Sequence, residues 1–221
     1  DVRKAINGVI DTPLGAISGR LGSAAVGVNL ASDDIRGLYN FRDAGTGTNH
    51  QLIATANNGS TFYFDSGTTF TVTLTGDTVG LKTRFVTFLD RVARLNGTDG
   101  VKSWTGATAD AWTTTGGALD VANWPSGTRF SRVFNSRVYT AGATASPDTL
   151  YYSSLPASSA ISWTSGNGSL DINPNDGENG ITALETNGTI LLVFKQNSLY
   201  RWDGSSTYAN RVINIGTSSQ E

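Results

Sequence analysis

Apolar residues in this chain fall in short runs, many alternating with threonine or serine. Each run is bounded by Gly, Asn or Asp turn residues. Sustained helical spacing of apolar positions is absent, so the pattern predicts many short β-strands. The predicted strands recur in a fixed order. A first unit places them at 35–41, 51–55, 61–64 and 69–74, and a second at 84–88, 91–95, 101–104 and 111–114. A third places them at 129–133, 137–140, 149–152 and 161–164, and a fourth at 181–184, 190–195, 199–202 and 210–213.

The turns recur as well. Asn58-Gly59, Asp99-Gly100 and Asn197-Ser198 lead into third strands, and Asn135-Ser136 and Asn187-Gly188 join first to second strands. Asn and Gly tolerate the positive φ that tight hairpins need. Third strands recur every roughly 40 to 50 residues, the period of four-stranded propeller blades. The predicted fold class is all-β, a β-propeller of four-stranded antiparallel blades. At least four blades are expected, at about 35–76, 81–117, 128–166 and 180–216. Inner strands are expected to be continuously apolar, with 191–194 as the example, and outer strands Thr-rich and alternating.

Residues 1–33 read as an N-terminal arm with a propeller-closing strand at 25–30, and 34–221 as the blades. The tail 216–221 looks like a connection into a fifth unit. The expectation is therefore an incomplete portion of a larger propeller that continues past Glu221.

Composition narrows the chemistry. The chain has 221 residues, a net charge of −2 and no cysteine, which removes disulfides and thiolate catalysis. No apolar run reaches the length of about 18 residues that a membrane-spanning helix needs, and a membrane partner is not expected. Charge is uneven. Lys82, Arg84, Arg91, Arg94, Lys102, Arg129, Arg132 and Arg137 face only four aspartates in 82–137, whereas 138–221 holds three basic and seven acidic residues. The expected result is solvated strand faces, with a docking surface as the alternative.

Candidate sites are few. His50, the only histidine, reads as a surface loop residue. A weak calcium candidate is Asp171, Asn173, Asn175 and Asp176, with oxygen ligands at mostly alternate positions. It departs from the EF-hand loop, with Asp176 where glycine belongs and Thr182 where the bidentate glutamate belongs, so an inter-blade turn is expected. Paired carboxylates for glycoside hydrolysis have candidates in Asp33, Asp34, Asp90 and Glu185, but no spacing selects a pair. Trp104, Trp112, Trp163 and Trp202 sit at repeat positions and read as inter-blade packing, and Trp124 is the best candidate for exposure. No catalytic or cofactor-binding residue is assigned.

The wording of the third and fourth units carries a resemblance. Phe134-Asn135-Ser136-Arg137-Val138-Tyr139-Thr140 is followed by Ser146-Pro147-Asp148-Thr149-Leu150-Tyr151-Tyr152, then Ile181-Thr182-Ala183-Leu184 and Leu192-Val193-Phe194-Lys195. Over roughly 80–220 this resembles the β-propeller structural proteins of tailed bacteriophages, of the tail nozzle and hub type. The resemblance implies a virion component with no catalytic residues and no cofactor. Several copies would form a ring around the DNA exit channel, contacting each other, other tail proteins and, transiently, exiting DNA. The alternative is a carbohydrate-binding or glycan-cleaving propeller, resting on the tryptophans and the Thr-rich surface.

Overall fold

A computed structural model describes residues 8–11, 16–19, 34–43, 47, 50–64, 70–174, 178–205 and 210–214. A short hairpin of β1 (Gly8–Asp11) and β2 (Ala16–Gly19) lies in the N-terminal arm. The closing strand expected at 25–30 lies outside the described residues.

Four antiparallel sheets follow in chain order. Blade 1 is β3 (Ile35–Arg42), β4 (His50–Ala56), β5 (Thr61–Phe64) and β6 (Thr71–Leu74). Blade 2 is β7 (Arg84–Phe88), β8 (Arg91–Leu95) and β9 (Lys102–Trp104). Blade 3 is β10 (Phe130–Phe134), β11 (Arg137–Ala141), β12 (Thr149–Tyr152) and β13 (Gly168–Asp171). Blade 4 is β14 (Ala183–Thr186), β15 (Leu191–Phe194), β16 (Ser198–Trp202) and β17 (Asn210–Asn214). Within each blade, successive strands pair as a meander. The first strands touch across blades, β3 to β7, β7 to β10 and β10 to β14, so they line a common axis.

Two expected strands change. The fourth strand of blade 2, predicted at 111–114, shrinks to one bridge in which Ser103 and Thr113 exchange both backbone hydrogen bonds. The fourth strand of blade 3 is β13, not 161–164. There Ile161 and Trp163 turn inward to fill the gap between blades 2 and 3. The apolar run 191–194 is a second strand, β15, and the innermost strand of its blade is β14.

Three buried clusters fill the three seams. Between blades 1 and 2 pack Phe41, Ile53, Phe85, Val92, Trp104 and Trp112. Leu95, Val101, Leu119, Val138 and the Trp124–Trp163 pair fill the next seam. Between blades 3 and 4 lie Tyr139, Leu150, Ile172, Leu191, Val193 and Trp202. Blades diverge from the axis, and bulky rings on the middle strands fill the widening wedge. Each such ring removed from water stabilises the fold by about 2–3 kcal/mol.

Candidate functional site

The first strands line a half-open cavity of about 390 Å³ on the axis. Every blade contributes to its wall, through Leu38 and Tyr39, Thr83 to Phe85, Phe130 to Arg132, and Thr182 to Leu184. A side-chain contact ties each pair of neighbouring first strands. Tyr39 stacks on Phe85 at 5.4 Å and its hydroxyl lies 2.8 Å from Thr87 Oγ1. The Arg84 guanidinium sits 4.5 Å from the Phe130 ring centroid. Arg132 donates from Nε to Glu185 Oε1 at 3.1 Å and from Nη2 to Oε2 at 2.8 Å.

The two axial arginines differ. Hydrogen bonds to Glu185 hold Arg132 charged more firmly than usual, and the same bonds hold the Glu185 carboxyl below the usual carboxylate range. Arg132 Nη1 donates to Ser131 O, which engages the remaining end of the fork. Arg84 has no carboxylate within ion-pair reach among the described residues. Burial, and then the like charge of Arg129, lower its pKa.

Much of the basic sector is neutralised across blades. Asp77, in the connection from blade 1 to blade 2, accepts from Lys102 Nζ at 2.6 Å and pairs with Arg94, and both partners of that second pair are almost wholly buried. In the last seam Lys195, fully buried, pairs with Asp148 at 2.8 Å and donates to Asn173 O at 3.0 Å. Asp99 is governed by opposing effects. Burial pushes it up, but hydrogen bonds from the Thr78 backbone N–H, Asn96 and the Thr78 hydroxyl bring it below its ordinary value.

The residues singled out from sequence are dispersed. His50 opens β4, exposed, with Nε2 2.8 Å from Asn40 Oδ1. Of the calcium candidates, Asp171 Oδ1 accepts from Thr149 and Asn173 donates to Tyr200 Oη, while Asn175 and Asp176 lie outside the described residues. The Lys195 ammonium donates to the Asn173 backbone carbonyl at 3.0 Å and so sets a positive charge beside these candidate ligands. Asp33 lies outside the described residues. Asp34 is exposed and pairs with Arg36 at 3.5 Å, Asp90 forms the β7–β8 turn, and Glu185 is gripped by Arg132. None of the three described carboxylates, Asp34, Asp90 and Glu185, is part of the axial cavity wall.

All five tryptophans are buried. Trp124, expected to be exposed, is 5% exposed. Its ring packs on Trp163 at 4.7 Å and its Nε1 donates to Thr128 Oγ1, because the irregular segment after β9 folds back between blades.

No protein family and no curated protein matches the sequence. Solved structures do match in shape. The computationally designed Ika4 protein has a TM-score of 0.52 at 14% identity, over 83% of this chain and 99% of that one. The extracellular domain of a hybrid two-component system from B. thetaiotaomicron has a TM-score of 0.59 at 16% identity, over 88% of this chain and 23% of that one. YCF48 from Cyanidioschyzon merolae has a TM-score of 0.54 at 12% identity, over 85% of this chain and 58% of that one. At such identities the likeness concerns the fold alone, and it joins the blade geometry in making the chain a β-propeller.

Proposed function

We propose that this propeller is an assembly module, a structural component of the tail of a tailed bacteriophage that takes its place in a ring through protein–protein contacts. The single observation that supports it most is the use of the tryptophans. Trp104, Trp112, Trp124, Trp163 and Trp202 all pack blade against blade, so the residues best suited to sugar stacking serve rigidity instead. The wording of residues 134–201, which resembles tail propellers, supplies the setting. A stiff disc with short, protected strand edges offers its loops for docking without edge-to-edge aggregation.

The test is localisation. An antibody raised against the chain, applied to native phage particles of the source, is expected to decorate the tail in electron micrographs. Label absent from particles, together with glycan binding or cleavage by the purified chain, would overturn the proposal in favour of a carbohydrate-directed propeller.

A further inference from the structure

The axial cavity carries two side chains whose surroundings do not satisfy them. Leu38 of β3 lines it and is 63% exposed. Arg84 of β7 lines it too, half-buried, its guanidinium braced against Phe130 and facing no carboxylate among the described residues. The other cation of the wall, Arg132, is consumed by Glu185 and Ser131. The volume of about 390 Å³ lies in the range of small-molecule sites, well above what a bare ion needs.

The geometry points to a binding site for a small organic oxyanion, its phosphate or carboxylate head on Arg84 and its apolar body against Leu38. Four features favour this chemistry. A guanidinium presents a planar fork of donors that matches carboxylate and phosphate oxygens. Stacking on Phe130 fixes that fork at little further entropic cost. Partial burial lowers the effective dielectric and strengthens the attraction, and among the described residues no acid pairs with it. Leu38 gains by surrendering its exposed surface to an apolar ligand body.

The probes are phenyl phosphate, inorganic phosphate, benzoate and acetate, titrated into the intact chain and followed by amide shifts and by thermal melting. Phenyl phosphate and benzoate are expected to bind more tightly than inorganic phosphate and acetate, with shifts at Thr83, Phe85 and Ser131. Comparison of phenyl phosphate with benzoate tells a phosphate site from a carboxylate site. Arg84→Gln is expected to weaken binding about tenfold or more, as loss of a charge-assisted hydrogen bond should. Leu38→Ser, at an exposed position, is expected to abolish the preference for aromatic anions and keep the fold. Arg201→Gln, on the exposed face of β16 and outside the cavity wall, is expected to leave binding nearly unchanged. Absence of shifts in the unaltered chain, or equal binding by Arg84→Gln, overturns the site. Equal affinity for phenyl phosphate and inorganic phosphate overturns the role of Leu38.

Discussion

Arg132 on β10 and Glu185 on β14 are 53 residues apart in sequence and meet fork to carboxylate at the axis, with bonds of 3.1 and 2.8 Å. This pair closes the inner edge of the seam between blades 3 and 4. Its two side chains are 41% and 51% exposed, so solvent screens it. Glu185→Gln is therefore expected to lower stability by no more than about 1 kcal/mol, and less in high salt. The Glu185 carboxyl titrates below its ordinary value in the folded chain. Its contribution is thus present above the unfolded pKa and fades as pH falls through the lowered one. Urea melts of both proteins are expected to differ at neutral pH and to converge under acid conditions.

Asp77 is a harsher case. It serves Arg94 and Lys102 in a site where its side chain and that of Arg94 are almost wholly buried. Asp77→Asn leaves a buried guanidinium without its counter-charge, and a loss of about 3–5 kcal/mol is expected. Chemical denaturation measures it. A loss no larger than that of Glu185→Gln would show that water reaches Arg94.

The tryptophans predict an optical signature. With all five buried, emission is expected to be blue-shifted and poorly quenched by iodide until the chain unfolds. Trp124→Ala opens a void between blades 2 and 3 and is expected to cost about 3–5 kcal/mol. An exposed Trp124 would cost little and would be quenched in the native protein.

Two glycines with similar backbones separate strain from collision. Gly59 and Gly188 have φ of 81° and 82°. A Cβ on Gly188 meets nothing within 4 Å, whereas one on Gly59 runs into the Asp77 carbonyl oxygen. Gly188→Ala is expected to cost about 1 kcal/mol and Gly59→Ala distinctly more, by thermal melting.

Tyr139 supplies an alkaline marker. Burial raises its phenol to about 12 in the folded chain. Between the ordinary tyrosine range and that value, the unfolded chain ionises while the folded one stays neutral. Stability therefore falls as pH rises through this interval. Tyr139→Phe is expected to flatten that decline.

The sequence showed the meander because each blade is built from local hairpins, and β5, β7, β8 and β12 begin and end where alternation places them. It missed what depends on neighbours in space. Arg84-Phe85 and Arg129-Phe130 look equivalent as dipeptides, yet β7 starts at Arg84 and β10 at Phe130. That slip of one residue reverses the faces and sets the Arg84 guanidinium over the Phe130 ring. Trp124 and Trp163 lie in stretches without strand pairing, where periodicity says nothing about burial. The ion pairs of Asp77, Asp148 and Glu185 span blades, and no spacing in sequence encodes them.

A chain of similarly built units can stack in the wrong order, and here the three seams are not interchangeable. The first is sealed by an aspartate shared between an arginine and a lysine, the second by paired indoles, and the third by Tyr139 on Trp202 with an arginine–glutamate clasp. A blade placed against a stranger would bury an unmatched charge or leave a ring facing a void. The seams thus work as a set of keys, each admitting one neighbour, and the order of the disc is written in chemistry as well as in chain connectivity.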